Sequence, residues 1–104
     1  MEKQQDYGCA SQQRILKVAL ALAGQEFSGI TPGELAKATG ISASNVTRDL
    51  FNLRSAGLAE EMPDAQGRWR LGPKLVQVAL GYMRCRDTAE ARLKEMGQRY
   101  TRQG

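Results

Sequence analysis

The sequence predicts a small, mainly α-helical domain that carries one short β-hairpin. Apolar residues recur at helical spacing over most of the chain, and a turn-rich segment at 63–67 separates two short apolar runs. Only 6 % of the residues are aromatic, which favours helices packed through Leu, Val and Ala. With 104 residues, of which 41 % are hydrophobic, the chain can form one modest core.

The first helix is predicted to begin at Ser11, after a polar arm at residues 1–10 that has no period and is expected to be flexible. Between Ile15 and Ala23 almost every residue is apolar, and Gly24 follows as a stop signal. So wide an apolar surface fits a helix enclosed by its own domain, and equally a helix that also contacts a partner subunit.

Two short helices are predicted next. Thr31 and Glu34 have the spacing of a capping box, which predicts a helix that ends at Gly40. Ser42 is a natural N-cap for another helix, which is predicted to extend to Ala56. Two helices joined by so short a turn predict a helix-turn-helix.

The second helix of this motif, residues 42–56, has two contrasting faces. Val46, Leu50 and Leu53 share an apolar face, whereas the opposite face is polar and short-chained. Asp49 is the acidic residue of this helix, and it is predicted to project to the side of the exposed strip.

The turn-rich segment at 63–67 predicts a β-hairpin after this helix. In its second strand, Trp69 and Leu71 are predicted to pack inward, which leaves two arginines on the outside. A helix, a helix-turn-helix and a hairpin in this order describe a winged helix-turn-helix, which we assign to residues 11–72, with residues 63–71 as the wing.

Two further helices are predicted in the segment 73–104, the second beginning at a capping pattern at residues 87–90. Their apolar stripes could fold back as a satellite core or could pair with a second copy of the chain. We favour a homodimer, because so much apolar surface would be costly to leave in water. The residues predicted for dimerisation are Leu75, Val78, Tyr82, Leu93 and Met96.

The absence of histidine removes the commonest general base and metal ligand. We therefore expect no catalytic site, no metal and no cofactor, and the protein is not expected to be an enzyme. Cys9 and Cys85 form no metal or redox motif, which is typical of a reducing cytoplasm, and Cys85 is predicted to be buried. The longest apolar run, residues 18–23, is far shorter than the roughly 20 residues that cross a bilayer, so no membrane contact is expected.

The charge is unevenly distributed. The net charge is +4, yet residues 1–64 carry six basic and eight acidic side chains, whereas residues 65–104 carry nine basic and three acidic ones. A basic region of this kind suggests an anionic partner such as nucleic acid.

Several short matches occur in one order along residues 34–75: Glu34-Leu35-Ala36, Thr39-Gly40, Ser44 with Arg48 and Leu50, Gly57-Leu58, and Gly67 to Leu75 with its Leu-Gly-Pro step. Together they resemble the DNA-binding domain of IclR-type bacterial transcription regulators. The chain departs from that family at Asp49, where an apolar residue is usual, and at Trp69, where tyrosine is more usual. The chain ends near where the family's ligand-binding domain would begin, so it is either a piece of a longer regulator or a freestanding winged helix of a phage or mobile element. We favour the freestanding protein, and we expect no small-molecule effector.

The predicted site lies on the second helix of the motif and on the wing. Base contacts are predicted for Ser44, Asn45 and Arg48, because side chains of moderate length near a helix start can reach the major groove. For Arg48 the alternatives are an ion pair with Asp49 and a surface charge that faces the wing, and for Asn45 the alternative is an ordinary surface position. Contacts of the wing or to the DNA backbone are predicted for Lys37, Ser42, Thr47, Arg54, Gln66, Arg68, Arg70 and Lys74.

The sequence therefore predicts a regulator of transcription that binds double-stranded DNA sequence-specifically in the cytoplasm of a bacterium. The helix at 42–56 is expected in the major groove, with the wing on the backbone or in the minor groove. Two alternatives stay open: an accessory factor for recombination or transposition, and a winged helix that binds another protein.

Overall fold

The computed structural model describes residues 7–102, which divide into two compact units after Pro73. The described part contains four helices and one antiparallel hairpin, as predicted for a mainly helical winged domain. In chain order the elements are α1 (Ala10–Ala21), α2 (Pro32–Thr39), α3 (Ala43–Ser55), β1 (Ala59–Glu61), β2 (Trp69–Leu71) and α4 (Pro73–Arg102).

Helix α1 begins at Ala10, one residue before the predicted start, with Cys9 as its extended N-cap. Ala10 therefore belongs to the helix and not to the arm. Residues 1–6 of the predicted arm lie outside the described residues.

The local signals around α2 and α3 act as predicted. The Glu34 amide donates to Thr31 Oγ1 at 3.1 Å, and the Thr31 amide donates to Glu34 Oε1 at 3.0 Å, which completes the capping box. These bonds from the Thr31 amide and hydroxyl lower the pKa of Glu34, because they favour its charged form. Gly40 ends α2 with φ of 74°, and Ser42 Oγ accepts from the Asn45 amide to cap α3.

One apolar core joins α1, α2, α3 and the hairpin. Trp69 is 5 % exposed and belongs to this core, as predicted from the strand alternation. The buried residues of the core are Val18, Leu22, Leu35, Val46, Leu50, Leu53, Ala59 and Trp69.

Helix α1 is enclosed on one side only. Val18 and Leu22 are fully buried, whereas Leu16 is 57 % and Leu20 is 77 % exposed. The interpretation of α1 as a helix enclosed by its own domain is therefore wrong, because α2 and α3 cover a single face of it. A contact between α1 and a partner subunit stays a prediction.

The hairpin pairs Ala59 with Leu71, Glu60 with Arg70 and Glu61 with Trp69. Ile30 adds a backbone bridge that the sequence did not predict: its amide donates to the Trp69 carbonyl at 2.9 Å, and the Trp69 amide donates back at 2.8 Å. The loop between α1 and α2 is thereby fixed to the second strand of the hairpin.

The two predicted C-terminal helices form one continuous helix, α4, of 30 residues. The capping pattern at residues 87–90 does not start a new helix, since no Gly or Pro immediately precedes it and its backbone is already hydrogen-bonded within α4. Arg86 and Glu90, 3.8 Å apart one turn from each other, support the helix across this point. Cys85 is exposed on α4, so the prediction of a buried thiol is also wrong.

No helix within residues 7–102 is long and apolar enough to span a membrane.

Candidate nucleic-acid interface

The outer face of α3 carries the three residues predicted to contact bases. Ser44 and Arg48 are exposed and Asn45 is half-buried, all in the first half of the helix. Val46, Leu50 and Leu53 hold the opposite face in the core. The packing of α3 therefore presents its polar strip outward.

The Arg48 guanidinium makes no hydrogen bond or ion pair with any residue in the part of the chain that the structure describes. The Arg48 backbone carbonyl accepts a hydrogen bond from Asn52 Nδ2 at 2.9 Å. The alternative of an ion pair between Arg48 and Asp49 is not found, because Asp49 is bound to Arg14. The charge of Arg48 is thus available at the surface of α3.

The prediction that Asp49 projects to the side of the exposed strip is wrong. Asp49 is buried, with 2 % of its surface exposed. Arg14 of α1 donates to its two carboxylate oxygens, from Nε at 2.7 Å and from Nη2 at 2.8 Å. These hydrogen bonds raise the pKa of Arg14. The two hydrogen bonds from Arg14 compensate the burial of the Asp49 charge, so Asp49 can lie against α1 instead of in solvent.

A groove lies between the first turns of α1 and the outer face of α3. Ser11 and Gln12 line it from α1, and Arg48 and Asn52 line it from α3. The N-terminal end of a helix carries partial positive charge, so this groove combines that charge with the guanidinium of Arg48. The sequence alone does not place α1 in the site, since nothing local in Ser11 or Gln12 marks them as neighbours of α3.

Three predicted backbone contacts lie on or beside the helix-turn-helix. Lys37 and Thr47 are exposed on α2 and α3. Ser42 is also exposed, but its hydroxyl already accepts the Asn45 amide at 3.3 Å and serves as the N-cap. A structural role of Ser42 is therefore present whether or not it contacts DNA.

Arg68 of the wing is already bound within the protein. Its Nε donates to the Ser28 carbonyl at 2.8 Å, and its Nη2 donates to the Gly29 carbonyl at 3.2 Å. Glu34 lies 3.5 Å from the same nitrogen. Arg68 thus connects the hairpin to the loop before α2, a role that the sequence does not predict.

Arg70 is likewise paired, because its Nε donates to Glu60 Oε2 at 2.7 Å across the hairpin. Gln66 is exposed at the hairpin turn beside Gly67, whose amide donates to Glu61 at 2.7 Å. The tip of the wing therefore offers an uncharged side chain, while both wing arginines have carboxylate neighbours.

Arg54, predicted to contact the DNA backbone, lies over two aromatic rings. Its guanidinium carbon is 4.5 Å from the ring centroid of Phe51 and 5.5 Å from that of Trp69. The two rings meet edge to face, with centroids 6.0 Å apart. This cation–π arrangement connects the C-terminal half of α3 to the hairpin.

The remaining predicted residues lie on α4. Lys74 is exposed in its first turn, and Leu75 is half-buried. Val78, Tyr82, Leu93 and Met96, all predicted for dimerisation, are exposed. No group of acidic or cysteine side chains within residues 7–102 is arranged to hold a metal ion.

No protein-family model and no curated protein matches the chain. Several solved structures do. HmgR from Pseudomonas aeruginosa is 28 % identical with a TM-score of 0.60, and the match covers 70 % of this chain and 29 % of HmgR. CymR from Staphylococcus aureus is 25 % identical with a TM-score of 0.53, covering 62 % of this chain and 53 % of CymR.

The Zalpha domain of ORF112 from Cyprinid Herpesvirus3, which binds Z-DNA, is 23 % identical with a TM-score of 0.51. That match covers 58 % of this chain and 93 % of the viral domain. By contrast, the chain spans about a third of HmgR and half of CymR. The likenesses and the order of elements establish the winged helix-turn-helix fold. The resemblance to the IclR type in particular stays a prediction.

Proposed function

We propose that this protein binds double-stranded DNA sequence-specifically and regulates transcription, with α3 in the major groove. The observation that carries the proposal is the outer face of α3. It presents Ser44, Asn45 and Arg48 side by side in the first half of the helix, and no described residue pairs with the Arg48 guanidinium. A winged helix-turn-helix places this part of its recognition helix against base edges.

The chemistry of these side chains suits base recognition. The Arg48 guanidinium can donate two parallel hydrogen bonds to the O6 and N7 acceptors of a guanine. The Asn45 amide can both donate to and accept from an adenine. Because Asp49 and Leu50 fix α3 from behind, these side chains start from a rigid helix, which lowers the cost of ordering them on DNA.

The proposed roles of the other residues follow from their present partners. Lys37, Thr47 and Lys74 are exposed and would contact phosphates, as would the first turn of α1 beside Arg48. Gln66 would extend from the wing tip toward the backbone or minor groove. Arg68, Arg70 and Arg54 would contact DNA only by sharing or leaving the partners that hold the wing in place.

The cytoplasmic location and the origin in a phage or mobile element stay predictions, as does the absence of catalysis and of a small-molecule effector.

A selection experiment tests the proposal. The protein is titrated into a pool of random duplexes at two salt concentrations, and the retained DNA is sequenced. We expect one motif to be enriched, with affinity that falls steeply with salt. Retention without any enriched motif would instead indicate an accessory protein that recognises DNA shape, and no retention at either salt would indicate a protein partner.

Variants then test whether α3 is the binding surface. On the selected duplex, Arg48→Ala should weaken binding about 5- to 150-fold, which corresponds to the roughly 1–3 kcal/mol of one bidentate base contact. The matched control is Lys94→Ala, which removes one exposed positive charge from α4 at a position to which the proposal assigns no contact with DNA. Equal losses in the two variants would contradict the proposed role of α3.

A further inference from the structure

We propose that α4 pairs antiparallel with α4 of a second copy of this chain. The pairing surface is one apolar stripe, which we name the α4 seam. Its members follow one another at steps of three or four residues, so they share one side of the helix. They are Leu75, Val78, Tyr82, Cys85, Ala89, Leu93, Met96 and Tyr100.

The large side chains of the seam are exposed. Val78, Tyr82, Leu93, Met96 and Tyr100 have between 49 % and 74 % of their surface accessible to water. The stripe extends along a helix of 30 residues, or about 45 Å at 1.5 Å per residue. A stable monomer seldom leaves so long an apolar stripe uncovered.

The order of large and small residues indicates a second copy as the occupant. Cys85 and Ala89, the small members, lie at the middle of the seam, and large residues lie toward both ends. An antiparallel copy centred between residues 87 and 88 would place Cys85 opposite Ala89. A surface that matches itself after a half-turn is what a twofold-symmetric interface requires.

The same centre also matches the large residues by volume. Tyr82 would lie opposite Leu93, Val78 opposite Met96, and Leu75 opposite Tyr100. In a parallel pair Tyr82 would face a second tyrosine and Ala89 a second alanine, so the spacing between the helices would have to change along the seam. Facing large residues with smaller ones gives the more even packing.

Charges beside the centre agree with this arrangement. Arg86 and Glu90 flank the seam on one side and lie 3.8 Å apart within one chain. Antiparallel pairing about residues 87–88 would bring Arg86 of each copy close to Glu90 of the other. The flank is therefore electrostatically complementary to its own rotated copy.

Self-association is measured without DNA, so this inference does not rest on the proposed function. Sedimentation equilibrium of the full chain should give twice the monomer mass of 11.4 kDa. Leu93→Glu, which places a charge in the seam, should give the monomer mass. Gln98→Glu adds the same charge to an exposed position on the opposite side of α4 and should stay dimeric.

Circular dichroism of the variants shows whether the helices are kept. If Leu93→Glu loses helical signal, Met96→Lys provides a second seam variant. A monomeric wild type, or seam variants that stay folded and dimeric, would overturn the proposal.

Cysteine cross-linking tests the direction of the pair. One variant carries Cys9→Ser and keeps Cys85, and the other carries Cys9→Ser, Cys85→Ser and Ala89→Cys. A disulfide needs Cβ atoms about 3.5–4.5 Å apart, which the antiparallel seam provides only between the two different variants. We expect covalent dimers in the oxidised mixture and few in either variant alone. Efficient cross-linking of each variant by itself, with no gain on mixing, would show parallel helices and contradict the proposed pairing.

Discussion

Replacing Arg14 by methionine should destabilise the winged unit more than replacing its partner Asp49 by asparagine. The Asp49 side chain is 3 % exposed and that of Arg14 is 24 % exposed. Arg14→Met removes both hydrogen bonds of the pair and leaves a carboxylate where water has little access. Asp49→Asn leaves a guanidinium that can still reach water, and the asparagine oxygen can still accept one of its bonds.

The expected loss of unfolding free energy depends on which group of the pair remains after each substitution. A buried Asp49 carboxylate without its partner should cost about 3–5 kcal/mol, the usual effect of breaking a buried ion pair. Asp49→Asn should cost about 1–2 kcal/mol, roughly the difference between a charged and a neutral hydrogen bond. Replacing both residues, by Arg14→Met with Asp49→Leu, should restore most of the stability, because no buried charge remains.

Urea unfolding at one fixed protein concentration measures these differences. The single tryptophan, Trp69, is buried in the core and reports unfolding by fluorescence. The free energies of unfolding are obtained by linear extrapolation. If Arg14→Met is no more destabilising than Asp49→Asn, or if the double variant is as unstable as Arg14→Met, the burial argument is refuted.

Three further predictions concern the salt dependence of DNA binding, a loop glycine and the capping box. Lys37→Ala should reduce the slope of log affinity against log salt by about 0.9, because this exposed lysine is proposed to neutralise one phosphate. Arg68→Gln should change the slope less, since Arg68 is bound to loop carbonyls. Equal changes in DNA titrations would contradict this. Gly29→Ala should destabilise the fold more than Gly24→Ala in thermal unfolding. Both glycines have positive φ, but only at Gly29 would the new Cβ collide with Met62. Equal losses of thermal stability would be inconsistent with the close packing of Gly29 against Met62. Because the pKa of Glu34 is lowered in the fold, its charged form stabilises the fold above the ordinary glutamate pKa of about 4.3, and this contribution is lost as pH falls through the pKa of the folded state. The difference in the free energy of unfolding between the wild type and Glu34→Gln should therefore shrink in acid. A constant difference across that pH range would argue against it.

The sequence predicted most reliably the local features that depend only on residues close together in the chain. The capping box at Thr31 and Glu34, the Ser42 cap and the left-handed Gly40 all form as expected, because each depends on residues within one helical turn. The inward position of Trp69 followed from strand alternation in the same way. The exposed face of α3 could also be predicted, since helical periodicity alone separates it from the apolar face.

Contacts between distant parts of the chain could not be predicted. Asp49 accepts hydrogen bonds from Arg14, which is 35 positions away in the sequence, and Arg68 donates to the Ser28 carbonyl, which is 40 positions away. No local pattern marks these partners, so the sequence predicts Asp49 at the surface and the wing arginines in contact with DNA alone. The division of α4 into two helices failed for another reason, since a capping pattern has no effect where the backbone on both sides stays helical.

The most direct measurement is a base-by-base affinity profile of the selected duplex, made for the wild type and for Arg48→Ala. Each position of the duplex is changed in turn to the other three base pairs, and binding is measured at one salt concentration. If α3 reads DNA as proposed, the wild type discriminates at several positions, and Arg48→Ala loses about 1–3 kcal/mol of discrimination at one G·C pair while keeping the rest. A profile that is unchanged by Arg48→Ala, or one in which the wild type shows no preference at any position, would contradict the account.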